Sequence, residues 1–176
     1  TVLDSADIDA EIRFAGVNDW GYGVFSNCPN LTTVTLGNTV KVIPDRLFSA
    51  CVGLTSVTFS DSLRAIDDYA FGGCSSLEEV VLPGSVTSVG MVAFADCGNL
   101  NSFTILDSAD SNAEITFAGI NELGYGVFSN CSNLKTVTLG NTVKVIPDRL
   151  FSPCSGLSSI TFSDSLRIIG EYAFSS

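Results

Sequence analysis

A phenylalanine recurs every 23 residues along most of this chain of 176 residues. It falls at Phe25, Phe48, Phe71 and Phe94, and after one interruption at Phe128, Phe151 and Phe174. A cysteine follows three positions later, at Cys28, Cys51, Cys74, Cys97, Cys131 and Cys154, and a leucine three positions after each cysteine. A fixed period of this length is typical of proteins built from stacked structural repeats.

Each repeat predicts one strand followed by tight turns. Numbered from its leucine, it reads L-x-x-V-x-L-x-x-x-V-x-x-I-x-x-x-A/L-F-x-x-C-x-x. Apolar positions 4 and 6 alternate with polar ones, which indicates a half-buried strand. Turn residues such as Gly37-Asn38 follow the strand, and a segment such as 67–71 suits one helical or 3₁₀ turn. We therefore expect an α/β solenoid of 23-residue repeats, with a parallel β-sheet on one face and short helical or 3₁₀ turns on the other.

This repeat resembles the leucine-rich repeats of the BspA-like family, also called the treponemal type, over essentially the whole chain. The residues that carry the resemblance are Leu77-Glu78-Glu79-Val80-Val81-Leu82-Pro83-Gly84-Ser85-Val86, then Val89-Gly90 and Ala93-Phe94-Ala95-Asp96-Cys97. The resemblance implies a leucine-rich-repeat solenoid at a microbial cell surface or outside the cell. It also implies a role in adhesion to host or matrix proteins, or in co-aggregation.

A longer duplication is superimposed on the short repeat. Residues 3–71 and 106–174 align without gaps, and 15 of the 69 aligned positions differ, so about 78% are identical. The offset of 103 residues is four repeats and 11 more residues, which we place near 4–14 and 107–117, with Ile115-x-Phe117 as a short additional strand. We expect a single solenoid domain over residues 1–176. Because both ends fall within a repeat and show no polar cap, the sequence predicts a fragment of a longer array.

Charge and composition narrow the classes of function. The chain has a net charge of -11 and no histidine, so we expect no nucleic-acid partner, whose phosphates need lysine and arginine. No apolar run approaches the roughly 18 residues of a membrane span, so we expect no membrane insertion. Without a histidine, a phosphate loop or a cluster of metal ligands, we expect no enzyme, no catalytic residues, no metal and no cofactor.

The cysteines are expected to form a column. Residues one repeat apart stack about 4.8 Å apart with parallel side chains, whereas a disulfide prefers about 3.8 Å between Cβ atoms. We therefore expect a ladder of buried free thiols that pack as small apolar groups. Disulfides between some of them, or a zinc site, are the alternatives.

The outward positions of the strands are the first candidate binding surface. Their candidate residues are Thr33, Thr35, Thr58, Thr104, Thr136, Thr138 and Thr161. Hydroxyl groups on a flat parallel sheet suit a glycan, a protein or, in principle, ice. Because threonine also suits any exposed strand position, a solvated face is the alternative.

The acidic insertions are the second candidate. Asp4 and Asp7 in one copy, and Asp107 and Asp110 in the other, offer the oxygen ligands that calcium takes. Their spacing is not that of an EF-hand loop, so a solvated loop is favoured and a calcium site is the alternative.

Two tyrosines accompany these insertions. Tyr22 and Tyr125 each lie between two glycines and are candidate surface contacts. Trp20 and Leu123, which precede them, fall on the inward isoleucine column of the repeat, so we expect both in the core.

The sequence therefore predicts a non-catalytic binding or adhesion module that presents a Ser/Thr-rich strand face and an acidic insertion edge to an extracellular protein or glycan. The insertions lie four repeats apart, so we expect them on one edge, about 20 Å from each other. A purely structural spacer within a larger surface protein is the alternative. Exposed ends of the solenoid also predict self-association, since open strand edges tend to pair.

Overall fold

A computed structural model describes residues 2–3 and 21–175 as a parallel β-solenoid, each turn of which is here called a rung. The strands are β1 Val2–Leu3, β2 Thr33–Leu36, β3 Val42–Ile43, β4 Ser56–Thr58, β5 Ala65–Ile66, β6 Glu79–Leu82, β7 Ser88–Val89, β8 Ser102–Ile105, β9 Thr116–Phe117, β10 Thr136–Leu139, β11 Val145–Ile146, β12 Ser159–Thr161 and β13 Ile168–Ile169. Among the described residues there is no α-helix or 3₁₀-helix, and no helix long and apolar enough to cross a membrane.

Every rung contributes one strand to the main sheet. This seven-stranded sheet has the order β1-β2-β4-β6-β8-β10-β12, and its described pairings are all parallel. The shorter strands form a four-stranded sheet, β3-β5-β7-β9, and a two-stranded one, β11-β13. Equivalent positions of adjacent repeats are partners, so Thr136 lies between Ser102 and Ser159. The parallel sheet predicted from the period is confirmed.

The phenylalanines form one stacked column in the core, as predicted. Successive rings are nearly parallel, with centroid distances from 5.1 Å between Phe128 and Phe151 to 5.7 Å between Phe94 and Phe128. The column is fully buried from Phe48 to Phe151, and Phe25 at its start is half-buried. The apolar positions of the strands fill the rest of the core, because alternate side chains of a strand point to one face.

The prediction of helical or 3₁₀ turns on the second face is wrong for the described residues, which form successive tight turns there. Tyr69 has a φ of 56°, in the left-handed region, whereas a helix needs consecutive right-handed residues. The amides of Tyr69 and Phe71 donate to the carbonyl oxygens of Met91 and Ala93 in the next rung, each at 2.9 Å. These backbone groups therefore join rungs to each other instead of closing a helical turn.

The cysteines are all free, and the structure confirms a ladder of thiols in which Cys28 is half-buried and the other five are buried. Each buried Sγ donates to a phenylalanine carbonyl oxygen of the preceding rung, as from Cys51 to Phe25 at 3.0 Å and from Cys74 to Phe48 at 3.2 Å. The same bond recurs at Cys97, Cys131 and Cys154. Burial raises the pKa of the Cys74 thiol from its ordinary value of 9.0 to about 12.

The register of β9 locates the extra residues of the second copy. Phe117 pairs with Val89 of the preceding rung, so β9 is the second strand of its own rung rather than an additional strand. Twelve positions separate Ile105 from Phe117, whereas seven separate the equivalent Leu82 from Val89. Five of the 11 extra residues therefore precede β9, and the remaining six follow it.

Candidate functional site

The outer face of the seven-stranded sheet carries two columns of side chains at positions 3 and 5 of each repeat. All the threonine candidates of the strand face lie in these columns. Thr33, Thr35, Thr58, Thr136, Thr138 and Thr161 are exposed, and Thr104 is half-buried. Because adjacent strands are about 4.8 Å apart, the columns repeat their polar groups at that spacing along the solenoid.

Several hydroxyl groups elsewhere in the rungs bond within the protein. Thr55 Oγ1 donates to the carbonyl oxygen of Thr32 at 3.0 Å, and Ser60 Oγ donates to that of Gly37 at 3.1 Å. Six of the seven threonine candidates have hydroxyls that make no side-chain hydrogen bond to any described residue, namely Thr35, Thr58, Thr104, Thr136, Thr138 and Thr161. These hydroxyls are therefore available to an external partner.

In the middle of the outer face the hydroxyl columns give way to charged and amide side chains. They line an open polar groove of about 550 Å³, here called the central groove, at the beginnings of β6, β8 and β10. Its lining residues are Glu78, Glu79, Asn99, Asn101, Ser102, Asn133 and Lys135. Carboxylates accept hydrogen bonds, an ammonium donates them and amides do both, so the groove can meet a partner with mixed hydrogen-bonding groups.

Strand pairing and side-chain bonds hold the walls of the central groove. Ser102 Oγ donates to Glu79 Oε1 at 3.1 Å, which orients that carboxylate. Asn133 Nδ2 donates to the carbonyl oxygen of Gly98 at 2.6 Å, and the Lys135 amide donates to the Asn101 carbonyl oxygen at 2.9 Å. The charged groups of the groove form no ion pair with any described residue, so their charges face solvent.

None of the residues of the central groove is among the site residues expected from the sequence. A signal for them was present, since residues 72–105 lie between the two duplicated copies and break the Ser/Thr pattern with Glu78 and Glu79. Lys135 is one of the positions at which the copies differ, because the first copy has Thr32 there. Departures from the repeat, rather than the repeat itself, identify this groove.

The acidic candidates Asp107 and Asp110 lie in the first loop, residues 106–115, which follows β8. Asp107 Oδ1 accepts the Asn141 amide of the next rung at 2.8 Å, and Asp110 Oδ1 accepts the Asn112 amide at 2.9 Å. Both carboxylates thus support loop backbone. The described residues include no group of three cysteine, aspartate or glutamate side chains placed to hold a metal ion. The equivalent candidates Asp4 and Asp7 lie outside the described residues.

The tyrosine candidates Tyr22 and Tyr125 are exposed. Tyr125 belongs to the second loop, residues 118–127, which follows β9. Asp107 and Asp110 lie in the first loop, which precedes β9, so the tyrosine and the two aspartates are in different loops. The prediction of a core position for Leu123 is wrong, because its side chain is 80% exposed. The six residues inserted after β9 carry it off the isoleucine column, and Trp20 lies outside the described residues.

Three carboxylates of the turn side lie close enough to interact electrostatically. Burial raises the pKa of Asp45 above its ordinary value. The positive charge of Arg46 acts to lower this pKa, and the negative charge of Asp68 acts to raise it. Burial, Asp68 and Asp45 together raise the pKa of Asp67. Perturbed carboxyl groups also occur at purely structural sites, and in the described part of the chain these three do not form a group that could hold a metal ion.

A family model described as BspA type leucine rich repeat region matches residues 11–123 and 109–176, with six copies. None of the curated proteins matches the chain.

Several solved structures share its fold. The T. pallidum leucine rich repeat protein is 30% identical with a TM-score of 0.68, and the match covers 85% of this chain and 64% of that one. A leucine-rich repeat protein from Eubacterium ventriosum is 25% identical with a TM-score of 0.57, and the match covers 81% of this chain and 42% of that one. The pneumococcal vaccine antigen PcpA is 19% identical with a TM-score of 0.62, and the match covers 86% of this chain and 38% of that one. At this identity the likeness shows the fold alone. The chain spans less than two thirds of each of these structures.

Proposed function

The chain belongs to the BspA type leucine rich repeat family, and from this premise we propose that it is a non-catalytic binding module of a bacterial cell-surface or secreted protein. Its binding surface is the outer strand face, with the central groove in the middle, and its partner is an extracellular protein or glycan. The observation that carries the proposal is that the exposed hydroxyls of Thr35, Thr58, Thr136, Thr138 and Thr161 make no side-chain hydrogen bond to a described residue. They surround a groove whose charged groups form no ion pair with one.

The location of these groups on strands favours recognition. Strand positions are fixed by the hydrogen bonds of both neighbouring strands, so the side chains they carry need little ordering when a partner binds. Ser102 holds one oxygen of Glu79, and the carboxylate keeps further acceptor capacity for a ligand. A polyhydroxyl chain or an extended protein segment lying across the strands would meet a donor or acceptor at each rung.

A charge-neutral pair of double variants tests the proposal. Glu79→Ala with Lys135→Ala removes one charge of each sign from the central groove. Asp61→Ala with Lys41→Ala removes the same two charges from exposed positions outside it. Both double variants are compared with the parent on a glycan array and on immobilised extracellular-matrix proteins, after circular dichroism has shown that they fold. We expect ligands of the parent to bind the groove variant at least tenfold more weakly and the control variant unchanged.

A structural spacer remains the second candidate function. The continuous phenylalanine column and the carbonyl-bonded thiols favour it, because they make the solenoid a stiff body whether or not its face binds anything. No saturable binding on either panel, or equal losses in the two double variants, would contradict the binding proposal and leave the spacer.

A further inference from the structure

The second loop presents an apolar tip on a rigid frame. Asn121 Oδ1 accepts the amides of Leu123 at 3.0 Å and of Tyr125 at 2.9 Å. The Asn121 amide donates to the Tyr125 carbonyl oxygen at 2.9 Å, and the Gly124 amide donates to that of Asn121 at 2.9 Å. The loop therefore closes around one asparagine, and its tip side chain, Leu123, projects into solvent.

The loop is also attached to the body of the solenoid. Asn121 Nδ2 donates to the Tyr69 hydroxyl at 3.2 Å, and the guanidinium of Arg46 covers the Tyr69 ring at 4.6 Å from its centroid. Between loop and body lies a cleft of about 430 Å³. Its lining residues are Tyr69, Met91, Ile120, Asn121, Glu122 and Leu123. Both walls of this cleft are thus held in place before any partner arrives.

The apolar groups of this loop do not serve the core. Leu123 is 80% exposed, and Ile120 and Tyr125 are each 41% exposed. In the preceding rung the same connection, from Val89 to Phe94, is made with six fewer residues. Grouped exposed apolar side chains are typical of interaction sites, and an anchor leucine beside a preformed cleft offers the central contact that such sites need.

Charge indicates the partner. Glu122 lines the cleft, and Asp67 and Asp68 precede the tyrosine that forms its wall. Two cations lie near the loop: Arg46 is engaged with the Tyr69 ring and donates to the Gly21 carbonyl oxygen at 3.2 Å, and Arg149, beside Gly124, lies over the Tyr172 ring. A net charge of -11 on the chain adds to this acidic field. We propose that the second loop and its cleft dock a protein segment with an exposed apolar side chain flanked by lysine or arginine.

The sequence of the first copy repeats the same classes of residue. Val17, Asn18, Asp19 and Trp20 align with Ile120, Asn121, Glu122 and Leu123, and they lie outside the described residues. The asparagine is unchanged and each of the three substitutions keeps an apolar or acidic residue in its place, so both sequences carry the same classes of residue.

A peptide series tests the inference directly. The peptides are synthetic 12-residue chains with Leu, Phe, Trp or Ser at the centre, flanked either by lysine and arginine or by glutamate. Binding to the full chain is measured by fluorescence polarisation. We expect basic peptides with an apolar centre to bind at least tenfold more tightly than the acidic or Ser-centred peptides. Leu123→Ser should reduce this binding at least tenfold, and Leu106→Ser, an exposed apolar residue of the first loop, should leave it unchanged.

Several results would overturn the inference. They are no saturable binding, equal affinity for basic and acidic flanks, and equal affinities of the Leu123→Ser variant and the parent. If the parent self-associates in sedimentation and the Leu123→Ser variant does not, the loop binds a second copy of the chain instead. If the parent binds phosphatidylcholine vesicles and the variant does not, the loop binds a lipid surface instead. The groove variant Glu79→Ala with Lys135→Ala should bind the peptides as the parent does, so the failure of either proposal can be distinguished from that of the other.

Discussion

Residues 54–71 and 157–174 are two copies of one stretch that differ in what lies against them. Thirteen of their 18 positions are identical. The rung that begins at Leu77 covers the first copy, and Ile66 there is 1% exposed. Its counterpart Ile169 is 52% exposed, since no described rung lies beyond it. In this fold the burial of a side chain is therefore a property of the neighbouring rung as much as of the residue.

This difference follows from the geometry of a solenoid. Each rung contacts only its neighbours, so the stability of the whole is the sum of small intrinsic terms and of the interfaces between rungs. Matched substitutions in the two copies can separate these contributions, because the substituted residue and its position in the repeat are the same while the number of interfaces changes.

The largest difference is expected at the phenylalanine column. The Phe71 ring stacks between Phe48 at 5.4 Å and Phe94 at 5.3 Å, whereas Phe174 stacks on Phe151 alone, at 5.5 Å. Phe71→Ala should lower the free energy of unfolding by about 3–5 kcal/mol, because it leaves a cavity in a packed core. Phe174→Ala should lower it by about 1–2 kcal/mol, because its ring is only half-buried.

Urea denaturation followed by circular dichroism measures both variants against the parent. A loss below about 1 kcal/mol for Phe71→Ala would contradict the assignment of this column to the core. Equal losses in the two variants would mean that a single interface is sufficient to stabilise the ring.

A second matched pair examines the aliphatic column without the aromatic stacking. Ile66→Ala should cost about 2–4 kcal/mol, since the side chain is fully enclosed. Ile169→Ala should cost less than about 1 kcal/mol, since half of its surface already contacts water. Thermal denaturation compares the two, and a cost for Ile169→Ala that matches Ile66→Ala would show that the second copy is covered in solution.

The burial of the cysteine thiols can be measured through the pH dependence of the free energy of unfolding. Burial raises the pKa of Cys74 from its ordinary 9.0 to about 12. A group whose pKa is raised in the folded state contributes stability that is complete below its unfolded pKa and is lost as pH rises toward the folded one. The free energy of unfolding should therefore fall between pH 9 and pH 12, with Cys74 alone contributing about 1 kcal/mol between pH 9 and pH 10.

Cys74→Ala checks the origin of this fall. Its denaturation curves from pH 8 to pH 10 should show a shallower decrease than those of the parent. Identical slopes would contradict the enclosure of this thiol. Native alkylation adds a second observation, since the half-buried Cys28 should be labelled well before Cys74, which should react only on unfolding.

The sequence predicted what repeats and missed what depends on the neighbouring rung. The column of Phe71 and Cys74 follows from the period alone, because equivalent positions stack in any solenoid. The left-handed Tyr69 does not, since its conformation accompanies amide bonds that cross to the next rung. The exposure of Leu123 also escaped prediction, because the strand register, rather than the residue pattern, decides on which side of β9 the extra residues fall.

In the candidate site, too, the repeating part was predictable from the sequence and the part that departs from the repeat was not. Alternation along each strand gave the exposed threonine columns, whereas the central groove arises from residues that depart from the repeat. Glu79 and Lys135 depart from the repeat pattern, and only the stacking of β6, β8 and β10 brings them to one groove.

The smallest difference is expected at the two arginine–tyrosine pairs. The Arg46 guanidinium lies 4.6 Å from the centroid of the half-buried Tyr69 ring and also bonds to a backbone carbonyl. The equivalent Arg149 lies 5.4 Å from the ring of Tyr172, which is 63% exposed. A cation over an aromatic ring stabilises more when solvent is excluded from the contact, so Arg46→Ala should cost about 1 kcal/mol and Arg149→Ala at most about 0.5 kcal/mol.

A double-mutant cycle distinguishes this contact from the loss of the long arginine side chain, whose packing also contributes. Arg46→Ala and Tyr69→Phe are combined, and likewise Arg149→Ala and Tyr172→Phe, because phenylalanine keeps the ring but removes the hydroxyl. If the guanidinium acts through the ring, the Tyr69→Phe change should leave the cost of Arg46→Ala nearly unchanged. If instead the cost disappears in the Tyr69→Phe background, the hydroxyl and its bond from Asn121 carry the coupling, and the second loop stabilises the first copy in a way that the second copy lacks.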